Sequence, residues 1–297
     1  MMAHGNEAAM TDVGIIGLGK MGMPIARNLM AKGFGVVGFR RTPGDGLAEA
    51  GGVRVSSPAE VAERADVLLS ILPDAAAVEE VVCGPQGTLQ ALRKGTVHIE
   101  MSTVEVDRKA AVRAAVRAAG GELLDAPISG SPPMVEPRMA TTFVSGDEHA
   151  IESVKPVLDA ISGPWVHAGA FGNGAGLKYV SAMLMAAHTV AAAEALAFAR
   201  RQGLDLELVQ RTLDGSIAAS ALLKQRGPWM REGRYEPAPG PIETLEQILH
   251  QVADIVPPDA APVFTAAKQV FDQAMRDGNG HKDIAFVHAQ LQEGRTV

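Results

Sequence analysis

Short apolar runs alternate with helical patterns along the first half of the chain. The runs predict strands at Val13–Gly17, Gly35–Phe39, Val67–Ile71, Val97–Glu100, Glu122–Ile128 and Thr141–Ser145. The segments between them, such as Pro58–Ala65 and Val106–Ala119, have the apolar spacing of helices. Alternation of this kind is typical of a doubly wound parallel sheet. We therefore predict an α/β domain over residues 12–170.

The pattern changes after residue 170. Residues 177–202 are mostly apolar, rich in strong helix formers and free of glycine and proline. Further helical patterns follow at Asp205–Leu213, Ala219–Lys224, Ile242–Ile255, Pro262–Arg276 and His281–Gln292. We predict an all-helical second domain over residues 171–297 that begins with a long interdomain helix. That helix needs apolar cover on more than one face, which a homodimer or a larger homo-oligomer would supply.

The most specific motif lies between the first strand and the first helix. It has the Gly-x-Gly-x-x-Gly pattern, and a second strand follows it at βαβ distance. In this pattern Gly17 allows the tight turn, Gly19 lets a pyrophosphate approach the backbone, and Gly22 lets the helix pack against the sheet. The context predicts a Rossmann domain whose helix N-terminus binds the phosphates of a dinucleotide. The predicted cofactor contacts in the motif are Gly17, Leu18, Gly19, Lys20, Met21 and Gly22.

The residues after the second strand bear on the choice between NAD and NADP. Rossmann sites for NAD usually carry an acidic residue there for the ribose 2′-hydroxyl, whereas this chain has Arg40, Arg41 and Thr42. Guanidinium groups offer fixed, forked donors to phosphate oxygens, and an acidic residue would repel a phosphate. We therefore predict NADP as the cofactor, with NAD less favoured.

Composition and charge narrow the possible partners. The 297 residues carry a formal net charge of −7 without a basic cluster, which argues against nucleic acid and membranes as partners and favours a small-molecule substrate. Cys83 is the single cysteine, so an internal disulfide is excluded and a cytoplasmic location is expected. The histidines lack metal-ligand spacing, so no metal site is predicted. Residues 1–11 are expected to be a disordered start or tag.

Several motifs occur in an order that resembles the β-hydroxyacid dehydrogenase family, which includes 3-hydroxyisobutyrate dehydrogenases and semialdehyde reductases. The segment GLGKMGMPIARNL resembles the cofactor signature of that family, and the likeness covers about residues 12–290. Leu72-Pro73-Asp74 and Met101-Ser102-Thr103 resemble loops that border the cofactor. The resemblance therefore adds Leu72, Pro73 and Thr103 to the expected cofactor contacts.

The same resemblance implies catalytic and substrate-binding residues. The segment DAPISG, which ends at Gly130, resembles the start of the substrate motif, and GAGLK, which ends at Lys178, resembles the approach to the catalytic lysine. By this resemblance Lys178 is the general acid/base, and Ser129 is a second catalytic residue that orients the substrate together with Gly130. An ammonium group there would stabilise negative charge on the substrate oxygen and supply its proton. The implied substrate contacts are Ser129, Gly130, Ser131 and Ser181.

Three departures from the family pattern indicate an altered substrate pocket. After Gly130 the chain reads SPPMVEPRMA, and its Pro-Pro-Met run looks like that of imine reductases. Ala182 replaces an expected asparagine, and Glu246-Gln247 stand where a Lys-Asp pair is expected; Lys282-Asp283 resembles such a pair but comes late. The expected reaction is hydride transfer between NADP and a hydroxy acid or semialdehyde-type carbonyl compound. Imine reduction and a non-catalytic NADP-binding role are the alternatives.

Overall fold

The structure is a computed structural model that describes residues 12–42, Gly44 and residues 46–292. Residues 1–11, for which the sequence predicts a disordered start or tag, lie outside the described residues. Backbone contacts divide the chain into two units, Met1–Lys178 and Tyr179–Val297. The domain boundary predicted between residues 170 and 171 stays a prediction.

The described part of the first unit alternates strands and helices. Its strands are β1 (Asp12–Ile16), β2 (Gly35–Phe39), β3 (Val53–Arg54), β4 (Val67–Ser70), β5 (Val97–Glu100), β6 (Glu122–Asp125), β7 (Ile128–Ser129), β8 (Thr141–Val144) and β9 (Trp165–His167). Its helices are α1 (Gly22–Ala31), α2 (Gly46–Glu49), α3 (Pro58–Arg64), α4 (Ala75–Cys83), α5 (Val106–Ala118), α6 (Pro132–Val135), α7 (Glu148–Ser153) and α8 (Lys155–Ile161).

Six of these strands form a parallel sheet in the order β3-β2-β1-β4-β5-β6, which confirms the predicted doubly wound fold. The central strands are largely apolar, and Val13, Ile15 and Ile16 of β1 are at most 1% exposed. Such continuous runs are typical of strands that are covered on both faces. The strand order reverses between β1 and β4, which is where doubly wound sheets bind their ligands.

Two predicted strands are assigned differently in the structure. Glu122–Ile128 divides into β6 and β7, because Pro127 between them has no N–H group to donate to a ladder. The segment Thr141–Ser145 forms β8, which belongs to a separate three-stranded sheet in the order β7-β8-β9. In that sheet β7 and β8 are antiparallel, whereas β8 and β9 are parallel. The strands β3 and β9 were not predicted, because two or three residues are too few to show a periodic pattern.

The described part of the second unit contains helices and no strand, which confirms the predicted all-helical fold. Its helices are α9 (Asn173–Arg201), whose first turns belong to the first unit, α10 (Leu206–Leu213), α11 (Ala221–Glu232), α12 (Ile242–Ile255), α13 (Pro262–Arg276) and α14 (Val287–Gln292). The prediction ended α11 at Lys224, but the helix continues through Gly227-Pro228. The last helix begins later than predicted, after a 3₁₀ turn that the Asp283 side chain caps.

The long helix α9 is apolar enough, by length and composition alone, to cross a membrane. Half of its most apolar window is buried inside the protein. A core helix of a soluble protein has the same property, so this is weak support for a membrane span.

Helix α1 is fixed to the rest of the first unit by Asn28. Its buried side-chain amide donates to the carbonyl oxygen of Val135 at 2.8 Å and to that of Ile161 at 3.2 Å. These two bonds connect the helix that follows the glycine motif with the ends of α6 and α8.

Replacing Asn28 with alanine should lower the free energy of unfolding by about 2 kcal/mol, because two buried carbonyl groups lose their donor. Urea unfolding measures this change. The matched control is Asn279→Ala, which removes an exposed amide-to-carbonyl bond and should change stability by less than about 0.5 kcal/mol. An equal loss of unfolding free energy in the two variants would contradict a stabilising role for the two buried hydrogen bonds of Asn28.

Candidate active site

A cavity of about 580 Å³ lies at the carboxyl ends of β1, β2 and β4. Eight of the predicted cofactor contacts line it: Gly17, Leu18, Gly19, Arg40, Arg41, Thr42, Leu72 and Pro73. The remaining lining residues are Ile16, Phe39, Pro58, Ile71, Ala77, Glu80, Val81, Pro85 and Gln86. Lys20, Met21, Gly22 and Thr103 lie outside this lining. The structure thus brings together the first part of the glycine motif, the arginine pair and the loop after β4.

The backbone of the glycine motif fits a pyrophosphate. Gly17 has a φ of +99°, and a Cβ atom there would lie 2.2 Å from the carbonyl oxygen of Ile71. A Cβ atom on Gly22 would lie 2.0 Å from the carbonyl oxygen of Gly17, whereas one on Gly19 would have no atom within 4 Å. The turn is therefore closed towards the sheet and open at Gly19, as a dinucleotide phosphate requires.

Buried polar side chains hold the loop after β4 that forms one wall of the cavity. The backbone N–H of Leu72 donates to Ser102 Oγ at 2.8 Å, and the N–H of Ser102 donates to Glu100 Oε1 at 2.6 Å. The hydroxyl of Ser70 donates to the same carboxylate and lies 2.8 Å from His98 Nε2. Burial lowers the pKa of His98 to about 4, so this histidine is neutral near pH 7.

Lys178 lies near the start of α9 with a buried side chain. Only 8% of the residue is exposed, and its Nζ donates to the carbonyl oxygen of Ile128 at 2.9 Å. Ile128 directly precedes Ser129 on β7, so the structure brings the two predicted catalytic residues to the same short strand. Burial lowers the pKa of Lys178 to about 8. A lysine with that pKa can both give and accept a proton near neutral pH.

The predicted substrate contacts lie around this strand and on α9. Ser129 is half-buried, and the exposed Gly130 follows it with a φ of +154°. Ser131 precedes the first turn of α6. Ser181 lies on α9 one turn after Lys178 and is half-buried.

The Pro-Pro-Met segment forms the short helix α6. Its prolines occupy the first helical positions, where a missing N–H group costs nothing. Met134 packs against the hydrophobic core of the first unit, and Val135 is fully buried. The segment that resembles imine reductases therefore contributes to the packing of the Rossmann unit.

The N-terminus of α9 is held by the buried carboxylate of Asp125. Its Oδ2 accepts from the backbone N–H of Ala175 at 2.8 Å and from the hydroxyl of Ser145 at 3.0 Å. The Ser145 oxygen in turn accepts from the N–H of Gly174 at 3.0 Å. A carboxylate is favourable there because helix N-termini have unpaired N–H groups and a partial positive charge. The contacts of Asp125 thus fix the turn from which Lys178 extends.

The charge of Asp125 is balanced by Lys109 of α5. The Nζ of Lys109 lies 2.8 Å from Asp125 Oδ1 and donates to the carbonyl oxygen of Ser102 at 2.6 Å, and both charged side chains are 0% exposed. Sequence reasoning missed this pair, although a signal was present. Lys109 occupies the same helical face as the buried Val112 and Val116, where an apolar residue would be expected.

A charged cluster in the second unit surrounds Glu246, which stands where the family resemblance predicts a lysine. Glu246 Oε1 lies 2.8 Å from His250 Nε2 and 3.4 Å from Lys268 Nζ, and this ammonium is 2.7 Å from Asp272. Possible ligand atoms of Glu246, His250 and Asp272 lie within 4.8 Å of one another, a grouping that the sequence reasoning missed. The Lys268 ammonium already supplies a positive charge to both carboxylates, which identifies the cluster as an ion-pair network.

The late Lys282-Asp283 pair has structural contacts. Asp283 is fully buried, lies 2.9 Å from Arg226 and accepts from the backbone N–H of Ala285 at 3.0 Å. The ammonium of Lys282 lies 4.2 Å from the ring centroid of Phe286. Both residues therefore stabilise the turn before α14.

Two family models match the chain. The model of the NAD-binding domain of 6-phosphogluconate dehydrogenase matches residues 12–169. The model described as "NAD-binding of NADP-dependent 3-hydroxyisobutyrate dehydrogenase" matches residues 172–290.

Similar proteins cover nearly the whole chain. Glyoxylate/succinic semialdehyde reductase 1 of Arabidopsis thaliana is 30% identical over 93% of this chain and 96% of its own. L-threonate dehydrogenase of Cupriavidus necator is 32% identical over 93% of this chain and 94% of its own. The solved structure of 3-hydroxyisobutyrate dehydrogenase from Mycobacterium tuberculosis has a TM-score of 0.85 and 27% identity. The match covers 95% of this chain and 99% of that one.

The fold, the cavity and these matches define a nicotinamide-dinucleotide-dependent oxidoreductase. The chain belongs to the β-hydroxyacid dehydrogenase family, as its motifs predicted.

Replacing Lys109 with methionine should lower the free energy of unfolding by about 3–5 kcal/mol, because Asp125 would be left as an unpaired buried charge. Thermal or urea unfolding measures the loss. The double variant Lys109→Met/Asp125→Asn should regain much of it, since asparagine can still accept from the N–H of Ala175 without carrying a charge. A double variant no more stable than Lys109→Met would contradict the role of the ion pair.

Proposed function

We propose that the chain is a cytoplasmic NADP-dependent oxidoreductase that interconverts a hydroxy acid and the corresponding semialdehyde-type carbonyl compound, with Lys178 as the general acid/base. The observation that carries this proposal is the buried Lys178 ammonium, which donates to Ile128 beside Ser129 and has a pKa lowered to about 8. The relatives named for succinic semialdehyde, glyoxylate and L-threonate support a small acidic substrate.

The residues of the site divide the work of the reaction. A bound nicotinamide would supply or accept the hydride. During reduction Lys178 would give its proton to the oxygen of the carbonyl group, and during oxidation the neutral amine would accept a proton from the alcohol. The bond to the Ile128 carbonyl orients the amine, and Ser129, Gly130, Ser131 and Ser181 would hold the substrate.

The preference for NADP is supported by the cavity wall after β2. Arg40, Arg41 and Thr42 all line the cavity there, at the position where Rossmann sites distinguish the two cofactors. No acidic side chain occurs among these three residues, so a 2′-phosphate would meet donors and positive charge.

Replacing Arg40 or Arg41 with alanine should therefore raise the Kd for NADPH by about tenfold to a hundredfold, since each lost charge-assisted bond costs about 1.5–3 kcal/mol. The Kd for NADH should change little. Fluorescence titration with both nucleotides measures the two constants, and Arg64→Ala on the exposed end of α3 is the matched control. Equal losses for NADPH and NADH would refute a contact with the 2′-phosphate.

The catalytic role is tested by following NADPH consumption with short semialdehydes, larger aldehydes, keto acids and cyclic imines. Lys178→Met should lower kcat by at least about a hundredfold, the usual range for loss of a general acid. Its Kd for NADPH should stay within about twofold, because Lys178 is assigned no cofactor contact. Undiminished turnover of a carbonyl compound by this variant would refute the assignment.

The pH dependence has a defined direction. The ammonium form of Lys178 predominates below a pKa of about 8, so kcat/KM for reduction should fall as the pH rises through that value. The kcat/KM for the reverse oxidation should rise over the same pH range.

The substrate panel also separates the alternative functions. Turnover of imines alone would favour imine reduction, and NADPH binding without turnover of any compound would favour the non-catalytic alternative.

A homo-oligomeric state is also part of the proposal. It is supported by the large apolar side chains that α9 exposes in the second unit, among them Val180, Leu184 and Phe198.

A further inference from the structure

The end of β5 buries a carboxylate, Glu100, to which the proposed reaction assigns no role. The residue is fully buried, and each of its oxygens accepts a hydrogen bond. Oε1 accepts from the backbone N–H of Ser102 at 2.6 Å, and Oε2 accepts from the hydroxyl of Ser70. A carboxyl group that only accepts hydrogen bonds is in its ionised form. Glu100 therefore places a full negative charge at the carboxyl end of the sheet.

The ionised state of Glu100 fixes the proton on His98. Ser70 has one hydroxyl proton, and His98 Nε2 lies 2.8 Å from the same oxygen. Because Ser70 gives its proton to Glu100, Nε2 must carry the proton that completes the contact between His98 and Ser70. Nδ1 of His98 then has no proton, and within the described residues this buried atom has no hydrogen-bond partner. A protonated Glu100 would instead donate to Ser70, and the proton of His98 would move to Nδ1.

The charge of Glu100 differs from that of Asp125 in its compensation. Asp125, which is buried at the end of the neighbouring strand β6, pairs with Lys109. The donors to Glu100 that the structure describes, Ser70 and Ser102, are neutral. An unbalanced buried charge is costly, and proteins accept such costs mainly at functional sites. The charge of Glu100 is thus suited to a cation that arrives with a ligand.

Glu100 lies in the half of the sheet that would face the nicotinamide. Doubly wound sheets bind one mononucleotide on each half, and the arginine pair after β2 marks the adenosine half. The strands β4, β5 and β6 form the other half. The carboxylate is two hydrogen bonds away from the cavity wall, because Ser102 Oγ accepts from the N–H of Leu72, which lines the cavity.

We propose that the buried charge of Glu100 sets the preference of the protein between the oxidised and the reduced cofactor. The nicotinamide ring is cationic when it is oxidised and neutral when it is reduced. A fixed negative charge in a medium of low dielectric constant attracts the cationic ring more than the neutral one, so Glu100 favours the oxidised dinucleotide. The inference rests on nicotinamide binding, but it applies to NADP and NAD alike and does not depend on Lys178.

Replacing Glu100 with glutamine removes the charge and can keep the hydrogen bonds. The glutamine carbonyl can accept from the N–H of Ser102, its amide can donate to Ser70, and Ser70 can then donate to His98 Nε2. The ratio of the Kd for NADP+ to the Kd for NADPH should rise about tenfold, mainly because NADP+ binds more weakly. Titration calorimetry measures both constants without turnover.

Two further variants separate the charge of Glu100 from its packing. Glu100→Asp keeps the charge on a shorter side chain, so both constants can change while their ratio stays close to that of the wild type. Glu79→Gln removes a partly exposed carboxylate that pairs with Arg108 at 2.5 Å, and solvent screening should leave the ratio unchanged. A Glu100→Gln variant that loses affinity equally for both forms, or that gains preference for NADP+, overturns the proposal.

The proton on His98 tests the charge of Glu100 in the wild-type protein. Nitrogen NMR of labelled histidine should show this proton on Nε2, and a His98→Asn variant identifies the signals. In Glu100→Gln the proton should move to Nδ1. A proton on Nδ1 in the wild type means that Glu100 is neutral, which overturns the proposal even if the glutamine variant does not fold.

Failure of this inference is distinguishable from failure of the proposed function. A protein that binds both forms of the cofactor but converts no carbonyl compound refutes the catalytic proposal, and the change in the Kd ratio can still be measured. A wild-type protein that binds neither form overturns both.

Discussion

The site depends first on the buried carboxylate of Asp125. Several kcal/mol would be lost if this charge were buried without partners, and the chain supplies a separate partner for each oxygen. Lys109 from α5 neutralises Oδ1, while the N-terminus of α9 and Ser145 after β8 donate to Oδ2. One side chain thereby joins the end of the parallel sheet to the small second sheet and to the helix that carries Lys178. Gly174 is needed for this approach, because a Cβ atom there would lie 2.4 Å from the carbonyl oxygen of Phe143.

The buried lysines Lys109 and Lys178 differ in their partners, and this difference separates the structural role of Lys109 from the chemical role proposed for Lys178. Lys109 faces a carboxylate, so its ammonium is compensated by an opposite charge. Lys178 donates to a neutral carbonyl group, which satisfies a hydrogen bond but supplies no full negative charge. Burial therefore lowers the pKa of Lys178 towards neutrality, the condition for reversible proton exchange. A carboxylate beside Lys178 would hold its proton and favour the role that Lys109 has.

The parts of the fold that the sequence predicted are those with a local or periodic signal. The glycine motif, the parallel strands and the long helix each follow from neighbouring residues, and the structure confirms the doubly wound sheet. The network around Asp125 has no such signal, because its members come from segments far apart in sequence. The same holds for Glu246 and Lys268, which lie on different helices. Lys109 was recognisable only as a polar residue on an apolar helical face, a pattern that a surface lysine can also produce.

The departures from the family pattern have different consequences once they are placed in the structure. The Pro-Pro-Met segment suggested an altered substrate pocket, yet α6 buries Val135 and packs Met134 on the core. Its sequence is therefore constrained by packing, and similarity to imine reductases there carries little information about the substrate. The replacement at Glu246 differs from the change in α6, because Glu246 forms part of an ion-pair network with Lys268 and Asp272. Side chains that need no periodic backbone pattern can change in this way while the cofactor motif stays fixed. The glycine motif can thus be common to the members of the family while side chains such as Glu246 and Lys268 differ between them.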